Sequence, residues 1–220
     1  MDSKALDILR SIIPRCECSY SSDLKEFQRA YCFRQLAFIS RIAEDALSMS
    51  SSNGGYAAAV LCRSLLEAVF CLSGAATSEE ICLRIVYTNA IEDLKRTKLF
   101  RDVDPNPPTE AAEIIEQLED EVESLQALAN APLKKIDLFT ATPSGGLQSL
   151  YRALYHHLSQ VSHANYTTID LCAKGEALVG DNISRVTLFL CLASGIGSEF
   201  FELDDKDEIW RSLKQLHPDL

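Results

Sequence analysis

Apolar residues recur along this chain every three to four positions and almost nowhere every second position, so the pattern predicts helices nearly throughout. From 23 to 49, Leu24, Phe27, Tyr31, Leu36, Ile39, Ile42, Ala46 and Met49 form a stripe between charged residues, the mark of a long amphipathic helix. Asn53-Gly54-Gly55 is expected to stop it. The next run, about 56–73, is apolar on nearly every face and predicts a central helix buried among others. Gly74 is expected to end that helix, and Thr77-Ser78-Glu79-Glu80 fits a capping box that opens a helix reaching about 100. Pro105-Asn106-Pro107-Pro108 breaks the chain before an acidic helix over 109–128, where Ile115, Leu118, Val122 and Leu125 make one narrow seam. An irregular stretch over 140–146 leads into a helix over 147–163. Asp181-Asn182 is then read as the cap of a core helix ending near 201, whose Ala193, Ser194, Gly195 and Gly197 permit close packing. A short helix over about 3–13 and a docking tail over 206–220, with Ile209, Trp210, Leu213 and Leu216, complete the expectation. The predicted fold class is all-α, a single-domain helical bundle spanning 1–220.

Composition agrees with one globular domain: 220 residues, 47% hydrophobic and 24% charged, give ample material for a single core. The net charge of −11 repels polyanions and excludes a broad, non-specific nucleic-acid surface, while leaving room for a local RNA site. Met1-Asp2-Ser3-Lys4-Ala5 lacks the basic and then apolar signature of an export signal, so a soluble, cytoplasmic protein is expected. Two runs invite a membrane reading. The first, 56–74, carries Arg63 and Glu67, and the second, 186–197, is too short, so both are read as core helices and no membrane partner is expected. The eight cysteines contain no Cys-x-x-Cys and mostly sit in apolar helical patterns, as reduced structural thiols do. Cys16-Glu17-Cys18 is the one close pair, and neither a metal nor a cofactor is expected.

Arg63 and Glu67 are the only charges of the central helix, and their i,i+4 spacing places them on one face. Two roles fit them: an ion-pair network that fixes helix register, or a ligand-binding cluster. Along 147–163 the ~100° helical step gathers Leu147, Leu150, Leu154, Leu158 and Val161 on one side. Arg152, His156, Ser159 and His163 fall on the other, with Tyr155 beside them. A guanidinium, imidazoles and a hydroxyl in one stripe suit the holding of an anion and the movement of protons near neutral pH; wet surface is the alternative. Lys95, Arg96 and Lys98 either complement a helix C-terminus or form a phosphate site. The acidic face of 109–128 is either solvated, or a surface for a protein partner, or a nucleic-acid mimic.

The segments Ala58-Ala59-Val60-Leu61-Cys62-Arg63-Ser64-Leu65-Leu66-Glu67 and Tyr155-His156-His157-Leu158-Ser159-Gln160-Val161-Ser162-His163-Ala164 resemble an uncharacterised group of bacterial helical proteins. Its pattern is Arg-Ser-x-x-Glu on one helix and Tyr-x-x-Leu-Ser-x-x-x-His on another, and the match covers about a fifth of the chain. That group is similar in turn to the HEPN superfamily, many of whose members are metal-independent ribonucleases of toxin–antitoxin and phage-defence (antiviral) systems. The hallmark, Arg followed after four to six residues by His, is met by Arg152 and His157. Ala153 stands where that pattern commonly has a polar residue, and a regular helix turns Arg152 and His157 ~140° apart. The resemblance implies RNA cleavage across a homodimer, with Arg152 on the phosphate, His157 or His163 as general base, and His156 beside them. Arg63, Glu67, Tyr155 and Ser159 would support the site. The alternative is a catalytically silent helical interaction or sensor module.

Overall fold

A computed structural model describes residues 4–19, 21, 23–51, 55–104, 110–143, 146–162 and 182–218. Among the described residues the chain forms nine α-helices, one 3₁₀ turn and no strand, an all-α bundle as the apolar periodicity predicts. The helices are α1 (Lys4–Ile12), α2 (Leu24–Ser51), α3 (Gly55–Thr77), α4 (Glu79–Val103), α5 (Glu110–Leu128), α6 (Leu138–Ala141), α7 (Gly146–Ser162), α8 (Asn182–Phe200) and α9 (Lys206–Leu216). The 3₁₀ turn, Ile13–Cys16, follows α1.

The core forms where the all-round apolar helix α3 is enclosed by α2, α4, α6, α7 and α8. Leu65, Leu66, Val69 and Phe70 of α3 are fully buried, together with Leu36 and Ile39 of α2 and Phe189 of α8. Each such side chain contributes ~1.5–3 kcal/mol by leaving water. The seam expected on α5 is partly formed: Ile115 and Leu125 are buried, Leu118 and Val122 half-buried, and the helix leans chiefly on α4. The helix α8 packs by subtraction of side chains. A Cβ on Gly195 would stand 2.5 Å from the Trp210 ring of α9, and one on Gly197 would stand 3.0 Å from Leu36. Glu199 accepts a 3.0 Å bond from the Trp210 indole N–H, which fixes the ring over that gap. Past the end of α8, Glu202 adopts φ 53°, and the Leu203 amide reaches back to the Ser198 carbonyl at 3.0 Å, a Schellman closure.

Several boundaries differ from the sequence expectation. Gly74 does not end α3, which continues to Thr77; a Cβ there would lie 2.6 Å from the Ala141 carbonyl oxygen, so the glycine serves close approach of α6. The cap of α4 is Ser78, whose hydroxyl accepts from the Ile81 amide at 3.5 Å. Thr77 is instead the last residue of α3, and its hydroxyl donates back to the Ser73 carbonyl. At the start of the expected irregular stretch, 140–146, lies the single turn of α6, capped by Asp137, which accepts from the Thr140 amide at 2.8 Å. Asn182 is the first residue of α8 rather than its cap, and Asp181 lies outside the described residues. The helices Gly55–Thr77 and Asn182–Phe200 are long and apolar enough to cross a membrane by length and composition, and the second is longer than the run 186–197 suggests. In the fold, 61% and 50% of their most apolar stretches are buried within the protein.

Candidate functional site

The site is built where α7 lies along α3. Leu158 of α7 is fully buried, and Leu147, Leu150 and Leu154 pack against the core, which turns the opposite face of the helix outward. Tyr155 sits at the edge between these faces and meets Arg63. The Arg63 guanidinium donates to Glu67 Oε1 at 3.1 Å and to the Tyr155 hydroxyl at 3.2 Å. Its central carbon stands 5.2 Å from the centroid of the Tyr155 ring, a cation–π distance. The pair is half-buried: the side chains of Arg63 and Glu67 are 19% and 39% exposed. It therefore avoids the full desolvation cost of a core ion pair while remaining in reach of solute.

An aromatic run backs this pair. Tyr155 stacks on Tyr151 with centroids 4.7 Å apart and an interplanar angle of 16°, and Tyr151 meets the edge of Phe70 at 5.1 Å. Phe139 of α6 adds a tilted contact to Tyr151 at 5.9 Å, and the Arg152 guanidinium lies 4.7 Å over the Phe139 ring. Burial pushes the Tyr151 hydroxyl well above its usual range, helped by Tyr155 and the Glu67 charge, so it stays a protonated donor. Burial works against the Arg63 charge, but the hydrogen bond and charge of Glu67 outweigh it and raise its pKa above the ordinary value.

The predicted residues divide into two sets. Arg63, Glu67 and Tyr155 come together directly. Arg152 and His156 are exposed on α7 one turn apart, Ser159 is half-buried, and Arg152 faces Phe139 rather than the Arg63 pair. His157 belongs to α7, but its side chain lies outside the described residues, as do Val161's side chain and all of His163. Periodicity and charge did not single out Tyr151, Phe70 or Phe139. The i,i+4 spacing of Tyr151 and Tyr155 was the available signal.

Elsewhere the alternatives narrow. The cations near the end of α4 face acids: Lys98 meets Glu119 of α5 at 2.6 Å, Lys95 meets Glu92 at 3.6 Å and Arg96 meets Asp93 at 3.5 Å. The seven described cysteines are free thiols, Cys172 lying outside the described residues. Burial pushes Cys16, Cys62 and Cys191 to about 11 and Cys82 to about 12, which makes them poor nucleophiles near neutrality. Among the described residues no group of three His, Cys, Asp or Glu side chains is placed to hold a metal ion, Cys16 and Cys18 included.

Comparison with known proteins adds a family and no activity. No curated protein and no solved structure matches the chain significantly. Residues 29–175, which hold α3, α7 and the whole Arg63–Tyr155 contact, match a family described as "Family of unknown function (DUF5677)". With two-thirds of its length in that match, the chain belongs to the DUF5677 family.

Proposed function

We propose that this protein is a HEPN-like helical effector that cleaves RNA without a metal, in bacterial stress or phage defence. The observation that carries the proposal is the rotation of α7: Tyr155 locked on Arg63 holds Arg152 and His156 outward, one turn apart on one exposed face. In the reaction a histidine, His157 or His163, takes the ribose 2′-hydroxyl proton as the oxygen attacks the adjacent phosphorus. A second histidine, with His156 the nearest to Arg152 in helical register, returns a proton to the departing 5′-oxygen, leaving a 2′,3′-cyclic phosphate. Arg152 balances the charge that builds on the phosphorane oxygens, and Arg63 with Glu67 positions the helix that carries it. The acidic balance of the chain favours a narrow RNA feature over free RNA in general, and two copies would complete the site.

Expression of the chain alone and with its genomic neighbours, with growth and RNA integrity followed, tests this. Growth arrest with fragmented RNA, abolished by Arg152→Ala and by His157→Ala or His163→Ala at unchanged protein level, is the expected result. Normal growth and intact RNA in every combination would remove the effector reading.

One observation favours a second reading, a non-catalytic interaction or sensor module. The Arg63 charge is already answered by Glu67 and Tyr155, as in a structural lock, and the acidic outer face of α5 is open to a protein partner. In that case Arg63→Ala destabilises the protein while Arg152→Ala and His157→Ala change neither growth nor RNA.

A further inference from the structure

We propose a second, separate site: a cleft between α2, α4 and the segment 129–134 that takes a small amphipathic carboxylate, an apolar body with one anionic head. The cleft holds about 310 Å³ and shares none of its lining residues with the Arg63–Tyr155 seam. That volume lies at the small end of ordinary ligand pockets.

The segment that walls it has no regular structure, yet it is braced along its length. Gln126 donates to the Ala131 carbonyl at 3.2 Å and accepts from the Leu133 amide at 3.0 Å. Arg84 of α4 donates to the carbonyls of Lys134 at 3.1 Å and Lys135 at 3.4 Å, and the Ile136 amide donates to the Thr88 hydroxyl at 3.0 Å. Beyond the cleft, Lys135 pairs with Glu92 of α4. These bonds satisfy backbone groups that an irregular segment would leave to water, and they hold the extended wall at a set distance from α4. The space left open is floored by the buried Leu83 and lined by Leu24, Pro132 and Leu133, apolar groups that a mere connector would bury by collapsing onto them.

Charge selects the head group. Arg84 and Lys134 line the cleft against one acid, Glu80, so the local balance is positive on a chain whose net charge is −11. Two sides of the Arg84 guanidinium are used by the wall, and its remaining nitrogen is ion-paired with the exposed Glu80 at 3.8 Å, too long for a hydrogen bond and open to displacement by a second carboxylate. An incoming carboxylate would find there a donor already oriented by its other bonds. A cation meets two like charges at the same mouth.

The probe is octanoate, compared with octanol and octylamine by titration calorimetry on the full-length protein. Saturable one-to-one binding of octanoate, about tenfold tighter than octanol and with no octylamine binding, is expected, the tenfold step corresponding to ~1.4 kcal/mol. Ala131→Trp, which fills the cleft from an exposed position, abolishes it. Lys134→Glu leaves the bracing bonds in place and removes the preference for octanoate over octanol. The proposal is overturned if octanoate does not saturate, if octanol binds equally well, or if both variants bind as the parent does. A dimer that Ala131→Trp dissociates, without octanoate binding, also overturns it and assigns the cleft to a second copy.

Discussion

The two most apolar helices of the bundle, α3 and α8, solve the same packing problem in opposite ways. In α8 the neighbours come close because side chains are missing: Gly195 admits the Trp210 ring and Gly197 admits Leu36. In α3 the contact with α7 runs through long polar and aromatic groups, Arg63, Glu67, Tyr155 and Tyr151, that stay half-exposed. A helix packed through glycines gains close dispersion contact and leaves no group that can act on a solute. A seam of guanidinium, carboxylate and phenol packs less densely and keeps donors within reach of one. Placed side by side, the two helices mark α3–α7 as the chemical side of the bundle and α8–α9 as the structural side.

The largest expected effect tests the structural side. Glycine to alanine inside an ordinary helix stabilises by ~0.5–1 kcal/mol, so the sign of Gly195→Ala is diagnostic. The new Cβ meets the indole of Trp210, which Glu199 tethers, and a destabilisation of ~1–3 kcal/mol is expected. That is roughly 2–12 °C in Tm for a chain of this size. Fluorescence of Trp210, the single tryptophan, reports the repacking directly. In a Trp210→Ala background the same substitution should lose its penalty; if the penalty persists, the ring is not what fills the gap.

A smaller effect is expected at the chemical side. Tyr155→Phe keeps the stacking on Tyr151 and the ring under Arg63, and removes only the hydroxyl that accepts from Arg63. The expected loss is ~0.5–1.5 kcal/mol, with faster amide exchange confined to α7. Uniform exchange across the bundle would mean that the contact does not govern the rotation of α7.

Both helices share the weakest effect, an alkaline one. Cys62 on α3 and Cys191 on α8 are each held at about 11 in the fold, above an unfolded thiol at roughly 8.5. Their contribution to stability is complete below the unfolded value, and it is lost as pH rises towards about 11, because the unfolded chain releases those protons first. Urea midpoints should be level up to about pH 8 and fall above it, and Cys62→Ala should lessen the fall. A midpoint that rises between roughly pH 9 and 11 would be inconsistent with buried neutral thiols.

The same contrast governs what was legible in the sequence. The Arg63–Glu67 pair was visible because two opposite charges four apart in an apolar run share a helix face and are costly there unless they pair. The small residues of α8 were visible as a packing surface, but their partner was not, because Trp210 arrives through tertiary contact. Gly74 misled for the same reason: glycine signals a helix end in isolation, and here Ala141 crosses over it. Ser78 displaced Thr77 as the cap because α3 ran on through the expected stop. Arg152 and His156 are both exposed on α7, and the placement of Arg152 over Phe139 depended on α6, a single turn too short to show a period.

The proposed cleavage of RNA by the outward face of α7, which Arg63 and Tyr155 hold in place, is the claim on which the chemical side stands or falls. The most direct measurement incubates the purified full-length protein with single-stranded RNA in excess chelator and determines the ends of any products. Fragments ending in 2′,3′-cyclic phosphate are expected, lost in Arg152→Ala and in the variant carrying His157→Ala and His163→Ala together, while circular dichroism and Tm stay unchanged. Cleavage that survives in both variants, or RNA left intact by the folded protein at every concentration tested, would contradict it.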